Sequence, residues 1–120
     1  MLSGILVKAL PVVFWLTLVF TMVLALLPQP PVVLEVNDKL QHMAAFAALT
    51  LLAAVSFPQM PYRRIFVAMA ALGAAIEVLQ MIPSLQRDAQ VSDWLADCAA
   101  IIAVLLFCAA VRWLRRKAAR

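Results

Sequence analysis

One histidine and a few acids stand at spacings that suit chemistry. Asp38 and His42 are four residues apart, Asp93 and Asp97 are four apart, and Glu77 lies three before Gln80. Residues three and four apart share one face of an α-helix. A carboxylate one turn before a histidine can hold one imidazole nitrogen and orient the other, so Asp38 and His42 form a candidate pair. His42 with Glu77 or Asp93 offers an acid and a base for work on a lipid phosphate or headgroup, which makes these three the catalytic candidates. The same carboxylates suit a binding role, accepting hydrogen bonds from sugar or amine groups while Lys39 and Arg87 supply cationic contacts.

Each of these residues also has a plainer reading. Asn37 or Asp38 can cap the helix that follows by accepting from its free N–H groups, and Ser92 or Asp93 can do the same for the last helix. His42 lies only about 3 Å below one edge of its apolar run, where an interfacial histidine is unremarkable. Gly73, Ala74, Glu77 and Gln80 share a small and polar face, on which Glu77 and Gln80 can bond to a neighbouring helix. Arg87 can pair with the carboxylates or contact lipid phosphate. Asp97 is the acid that capping does not explain, because it lies one turn inside the run.

The elements that must carry these residues are helices in a membrane. With 67% hydrophobic and 13% charged residues, a chain of 120 residues has too little polar surface to cover a soluble globule. The runs at about 9–27, 40–57, 65–82 and 95–111 are each long enough to cross a hydrocarbon core at about 1.5 Å per residue. Short links between them predict an all-α polytopic protein, a compact antiparallel bundle of four transmembrane helices in one domain covering 1–120. Prolines punctuate it: Pro28, Pro30 and Pro31 after the first run, Pro58 and Pro61 after the second, and Pro83 at the end of the third. The first run is too long for a signal-peptide core and has only Lys8 ahead of it, so it is read as a retained span.

Charge orients the bundle. Lys8, Arg63, Arg64, Arg112, Arg115, Arg116, Lys117 and Arg120 fall at one end of the runs, and only Lys39 and Arg87 at the other. By the positive-inside rule the first end is cytoplasmic, with both termini there. All six acids, Glu35, Asp38, Glu77, Asp88, Asp93 and Asp97, fall at the opposite, outer end with His42. Tyr62 and Trp113 suit an inner aromatic belt and Trp94 an outer one. The net charge of +4 is thus a topology signal and excludes a nucleic-acid partner. Cys98 and Cys108, about 15 Å apart along one helix, are too far apart for a disulfide and read as small packing residues.

Read together, Asp38-Lys39-x-x-His42-x-x-x-Phe46, Ile76-Glu77-x-x-Gln80 and Arg87 followed by Ser92-Asp93-Trp94 resemble the VanZ-like family of small bacterial membrane proteins. The resemblance runs from Asp38 to about Ala100 and agrees with the four-span layout elsewhere. It implies a multi-pass protein of the bacterial plasma membrane. The family takes its name from a protein linked to low-level teicoplanin resistance, a pointer toward the outer leaflet, the cell envelope or lipid-linked precursors. The family pattern continues from the aspartate with Asn-x-x-Gly; here those places hold Asp97 and Ala100, so an acid replaces a neutral amide.

Three functional classes follow. The first is a binding protein whose outer pocket, formed by Asp38, Lys39, His42, Glu77, Gln80, Arg87, Asp93 and Asp97, holds a lipid headgroup or a lipid-linked envelope ligand. The second is an intramembrane enzyme using His42 with Glu77 or Asp93. The third is a transporter, which would need a homo-oligomer because four spans with no charged residue in the inner half offer no path through one copy. No cofactor motif is present. His42 with Glu77, Asp93 or Asp97 has ligand types suited to zinc or manganese, but no HExxH and no cysteine-histidine spacing accompanies them, so no metal is expected.

Overall fold

In the computed structural model, which describes residues 2–27, 38–85 and 90–120, four α-helices account for most of the described residues. They are α1 (Leu2–Leu26), α2 (Asp38–Ser56), α3 (Tyr62–Gln80) and α4 (Val91–Ala118), with a single 3-10 turn at Pro83–Leu85. Among the described residues, three of the helices are long and apolar enough to cross a membrane, at 4–26, 39–56 and 91–118. The fold is therefore all-helical and multi-pass. α3 is a full helix of 19 residues, but Arg63, Arg64 and Glu77 within it keep it out of that set.

The helices differ from the apolar runs at their ends, and the reasons are local. α1 starts at Leu2 and α4 continues to Ala118, because Lys and Arg are good helix formers and carry the helix past the end of the apolar run. Pro11 lies inside α1, where it cannot donate to the carbonyl one turn earlier, yet the helix passes through it. α3 stops at Gln80, with Met81 as its C-terminal cap, before Pro83 is reached. α4 begins at Val91 behind Gln90, which makes no side-chain capping bond. Ser92 and Asp93 therefore sit inside the first turn of α4 rather than at its cap, which corrects the capping expectation. Asn37 and the side chain of Asp38 lie outside the described residues.

The interior is a narrow seam. Phe46, Leu49, Ile65, Ile76 and Ile101 are almost fully buried, supplied by α2, α3 and α4, with Phe14 and Ala25 added from α1. Thr50 is also buried, and its hydroxyl donates to the Phe46 carbonyl at 2.6 Å, which satisfies it within its own helix. Outward faces are apolar too: Ile5, Val7, Leu16, Phe20, Val67, Val78, Leu106 and Phe107 are all well over half exposed. Large apolar side chains on both faces suit a helix whose surroundings are hydrocarbon.

Specific contacts say which helix ends meet. At one end Gln80 of α3 donates to the Ala25 carbonyl of α1 at 2.9 Å, and Lys39 of α2 stands 3.5 Å from Asp93 of α4. At the other, the Phe14 and Phe57 rings pack edge to face 5.5 Å apart, Arg112 donates to the Pro58 carbonyl at 3.3 Å, and its guanidinium lies 5.5 Å from the centre of the Tyr62 ring. The first end gathers the C-termini of α1 and α3 with the N-termini of α2 and α4, and among the described residues it carries Lys39, His42, Glu77, Gln80, Asp93 and Asp97.

Candidate functional site

Three helices deliver the cluster. His42 is on the second turn of α2, Glu77 on the last turn of α3, and Asp97 about 9 Å along α4 from its start. One ligand atom from each of His42, Glu77 and Asp97 lies within 4.8 Å of the other two. The His42 Nδ1 is 3.9 Å from Asp97 Oδ2, an ion-pair distance that is too long for a hydrogen bond. Asp97 is 1% exposed, and neither of its carboxylate oxygens accepts a hydrogen bond from any described residue. A buried carboxylate left in that state is costly, by several kcal/mol for an ion removed from water, so this oxygen pair marks the site.

The surroundings hold the three in place. Glu77 is half-buried, and its Oε2 accepts the Gln90 backbone N–H at 3.1 Å, which ties the end of α3 to the start of α4. Ser92 then donates to the Gln90 side-chain oxygen at 3.3 Å. Behind Glu77, Gly73 lets α3 approach its neighbours: a Cβ there would meet Trp94 Cδ1 at 3.2 Å and the Phe46 ring at 3.5 Å. The Trp94 indole N–H donates to the Ala70 carbonyl at 2.9 Å, pinning α4 across α3. Trp94, read from sequence as an outer-belt residue, thus also staples two helices.

The sequence-derived candidates divide into two groups. His42, Glu77 and Asp97 come together. Asp93, one turn nearer the surface, turns instead to Lys39, whose ammonium also donates to Ser92 Oγ at 3.4 Å. Gln80 is buried and spends its amide N–H on Ala25, one of the last carbonyls of α1, which has no partner further along its own helix. It therefore acts as a C-terminal cap from another helix. The Asp38 side chain and Arg87 lie outside the described residues. Cys98 and Cys108 are both free thiols and partly buried.

The fold and the cluster define a class, an all-helical multi-pass membrane protein with a charged cluster at one end of its helices. Within that class no family model, curated protein or solved structure matches this chain. The VanZ-like resemblance accordingly rests on the motif residues alone.

Proposed function

We propose that this chain is a VanZ-like protein of the bacterial plasma membrane, a single domain of four antiparallel spans with both termini cytoplasmic. Its outer polar pocket binds the head of a membrane lipid or of a lipid-linked envelope ligand. α3 serves as the fourth span, with Arg63 and Arg64 at the cytoplasmic surface and Glu77 facing the pocket rather than lipid. The segregation of eight basic residues from all six acids supports the orientation.

One observation carries the binding role: Asp97 is buried beside His42 and Glu77 with neither oxygen hydrogen-bonded to a described residue. Interhelical glue satisfies its own polar groups, as Gln80 and Trp94 do here. A carboxylate that the protein leaves unsatisfied is one whose partner comes from outside. Lys39 and Asp93 at the mouth provide a cation for a phosphate and an acceptor for hydroxyl or amine groups.

The test is lipid retention. Full-length protein in nanodiscs of phosphatidylethanolamine and phosphatidylglycerol is released and weighed by native mass spectrometry, beside Glu77→Gln. The expected result is phospholipid retained by the wild type and depleted in the variant at equal folded yield. Equal retention by both would remove the headgroup reading.

A further inference from the structure

The three residues of the cluster come from three different helices and are separated by 20 to 55 residues in sequence, so no local spacing announces them as a set. Their donor atoms are one imidazole nitrogen and two carboxylate oxygens, all within 4.8 Å of one another. Ligand atoms held about 2.0 to 2.2 Å from a zinc-sized ion stand about 3.4 Å apart in a tetrahedral site, so modest side-chain rotation closes the present arrangement onto an ion. We propose that His42, Glu77 and Asp97 form a binding site for one divalent first-row transition cation, of which zinc and manganese fit best.

Charge supports it. Glu77 and Asp97 bring two negative charges to a place where Asp97 is 1% exposed, and a dication beside a neutral imidazole balances them. A proton shared with His42 does not do so as well, since the 3.9 Å separation leaves no hydrogen bond and the second carboxylate stays uncompensated. Lys39 stands beside Asp93 instead. Preorganisation points the same way: the Gln90 N–H donates to the Glu77 carboxylate, and such a hydrogen bond orients a metal ligand. Phe46, Ile76 and Ile101, each within four residues of one member of the cluster along its own helix, are almost fully buried, which fixes the three helices that carry His42, Glu77 and Asp97.

The donor set decides the class of ion. An imidazole nitrogen disfavours calcium and magnesium, which take oxygen ligands, and two carboxylates disfavour copper(I), which takes thiolate. Three protein ligands leave at least one coordination position open toward the pocket. A phosphate or hydroxyl oxygen of a bound head would occupy it, so the inference rests on the pocket reading only in taking the cluster as a ligand site rather than glue.

The experiment uses the full chain in detergent without added phospholipid, stripped with a chelator and dialysed against zinc or manganese, with magnesium as the comparison. Bound metal is counted by mass spectrometry. The expected result is one zinc or manganese ion per chain, at least about tenfold weaker binding in Asp97→Asn and in His42→Ala, and no change in the Cys98→Ser/Cys108→Ser double variant. Each variant is first checked for a wild-type elution profile, and Glu77→Gln replaces any that fails it. No stoichiometric zinc or manganese on folded wild type, or undiminished binding in these variants, overturns the site. Because no phospholipid is present, that failure is separate from a failure of lipid retention in nanodiscs.

Discussion

The imidazole of His42 and the carboxylate of Asp97 face each other across the α2–α4 contact at 3.9 Å, one 14% exposed and the other 1%, with no hydrogen bond joining them. A pair buried so deeply and joined so loosely has its energetics set by the charges that each residue leaves on the other, and opposite substitutions should reveal this.

Asp97→Asn removes the buried charge and keeps the shape, and the amide matches what the VanZ-like pattern carries at that place. In chelator-treated protein this variant is expected to unfold at a higher temperature than wild type, by several degrees for a gain of about 1 to 2 kcal/mol. His42→Ala leaves both carboxylates facing each other and should lower the midpoint instead. Thermal unfolding in detergent checks the pair, and a lower midpoint for Asp97→Asn would mean that the carboxylate is satisfied in the native protein.

Gly73 is a second lever, because two effects oppose each other there. Alanine in place of glycine favours the helix by about 1 kcal/mol, while the new Cβ must push Trp94 and Phe46 aside by a few tenths of an ångström. Gly73→Ala is expected to stay within about 1 kcal/mol of wild type. Gly73→Leu has nowhere to go and should cost about 1 to 3 kcal/mol or more, read as a lower midpoint or loss of folded protein.

The acidic end of the helices was legible because burying charge in an apolar chain is expensive enough that its position carries information: Glu77 and Asp97 stand out in runs of Ala, Leu and Ile. What sequence could not resolve was rotation. Asp93 and Asp97 share a face of α4, and only the packing of α2 against it sends Asp93 to Lys39 and Asp97 to His42. The cap of α4 was misplaced because Ser92 and Asp93 are good caps by type, while the helix here begins at Val91, two residues before a Ser92 cap would start it, behind a non-capping Gln90. The partner of Gln80 was out of reach for another reason, since Ala25 is 55 residues away and any carbonyl could have served.

That contact yields a prediction of its own. Gln80→Leu deletes the only side-chain donor given to Ala25 among the described residues and leaves a buried carbonyl at the end of α1, which should cost about 1 to 3 kcal/mol. Gln80→Glu keeps the size but not the donor and should be no better. Protease susceptibility near the end of α1, compared with wild type at the same temperature, reads the loosening directly. Unchanged resistance in both variants would show that α1 is held by apolar packing through Phe14 and Ala25 alone.

Orientation can be checked without reference to the site. A reporter active only in the cytoplasm and fused after Arg120 should give signal, and a cysteine placed at exposed Met60, between Arg63 and the end of α2, should be shielded from an impermeant thiol reagent in intact cells. A fusion that accumulates but stays silent would mean an odd number of crossings, with α3 lying outside the set of spans.

Asp93 distinguishes a working mouth from a structural one. Its contact with Lys39 is part-exposed, at 39% and 19% for the two side chains, so the pair contributes no more than about 1 kcal/mol. Asp93→Asn and Lys39→Gln should therefore leave folded yield and thermal midpoint close to wild type. If the mouth contacts the head of a bound lipid, both variants should nevertheless retain less phospholipid in nanodiscs, Lys39→Gln because a phosphate loses its cation and Asp93→Asn because hydroxyl or amine groups lose a charged acceptor. Retention equal to wild type in both, at equal protein abundance, would confine ligand binding to His42, Glu77 and Asp97 and leave Lys39 and Asp93 as a surface ion pair.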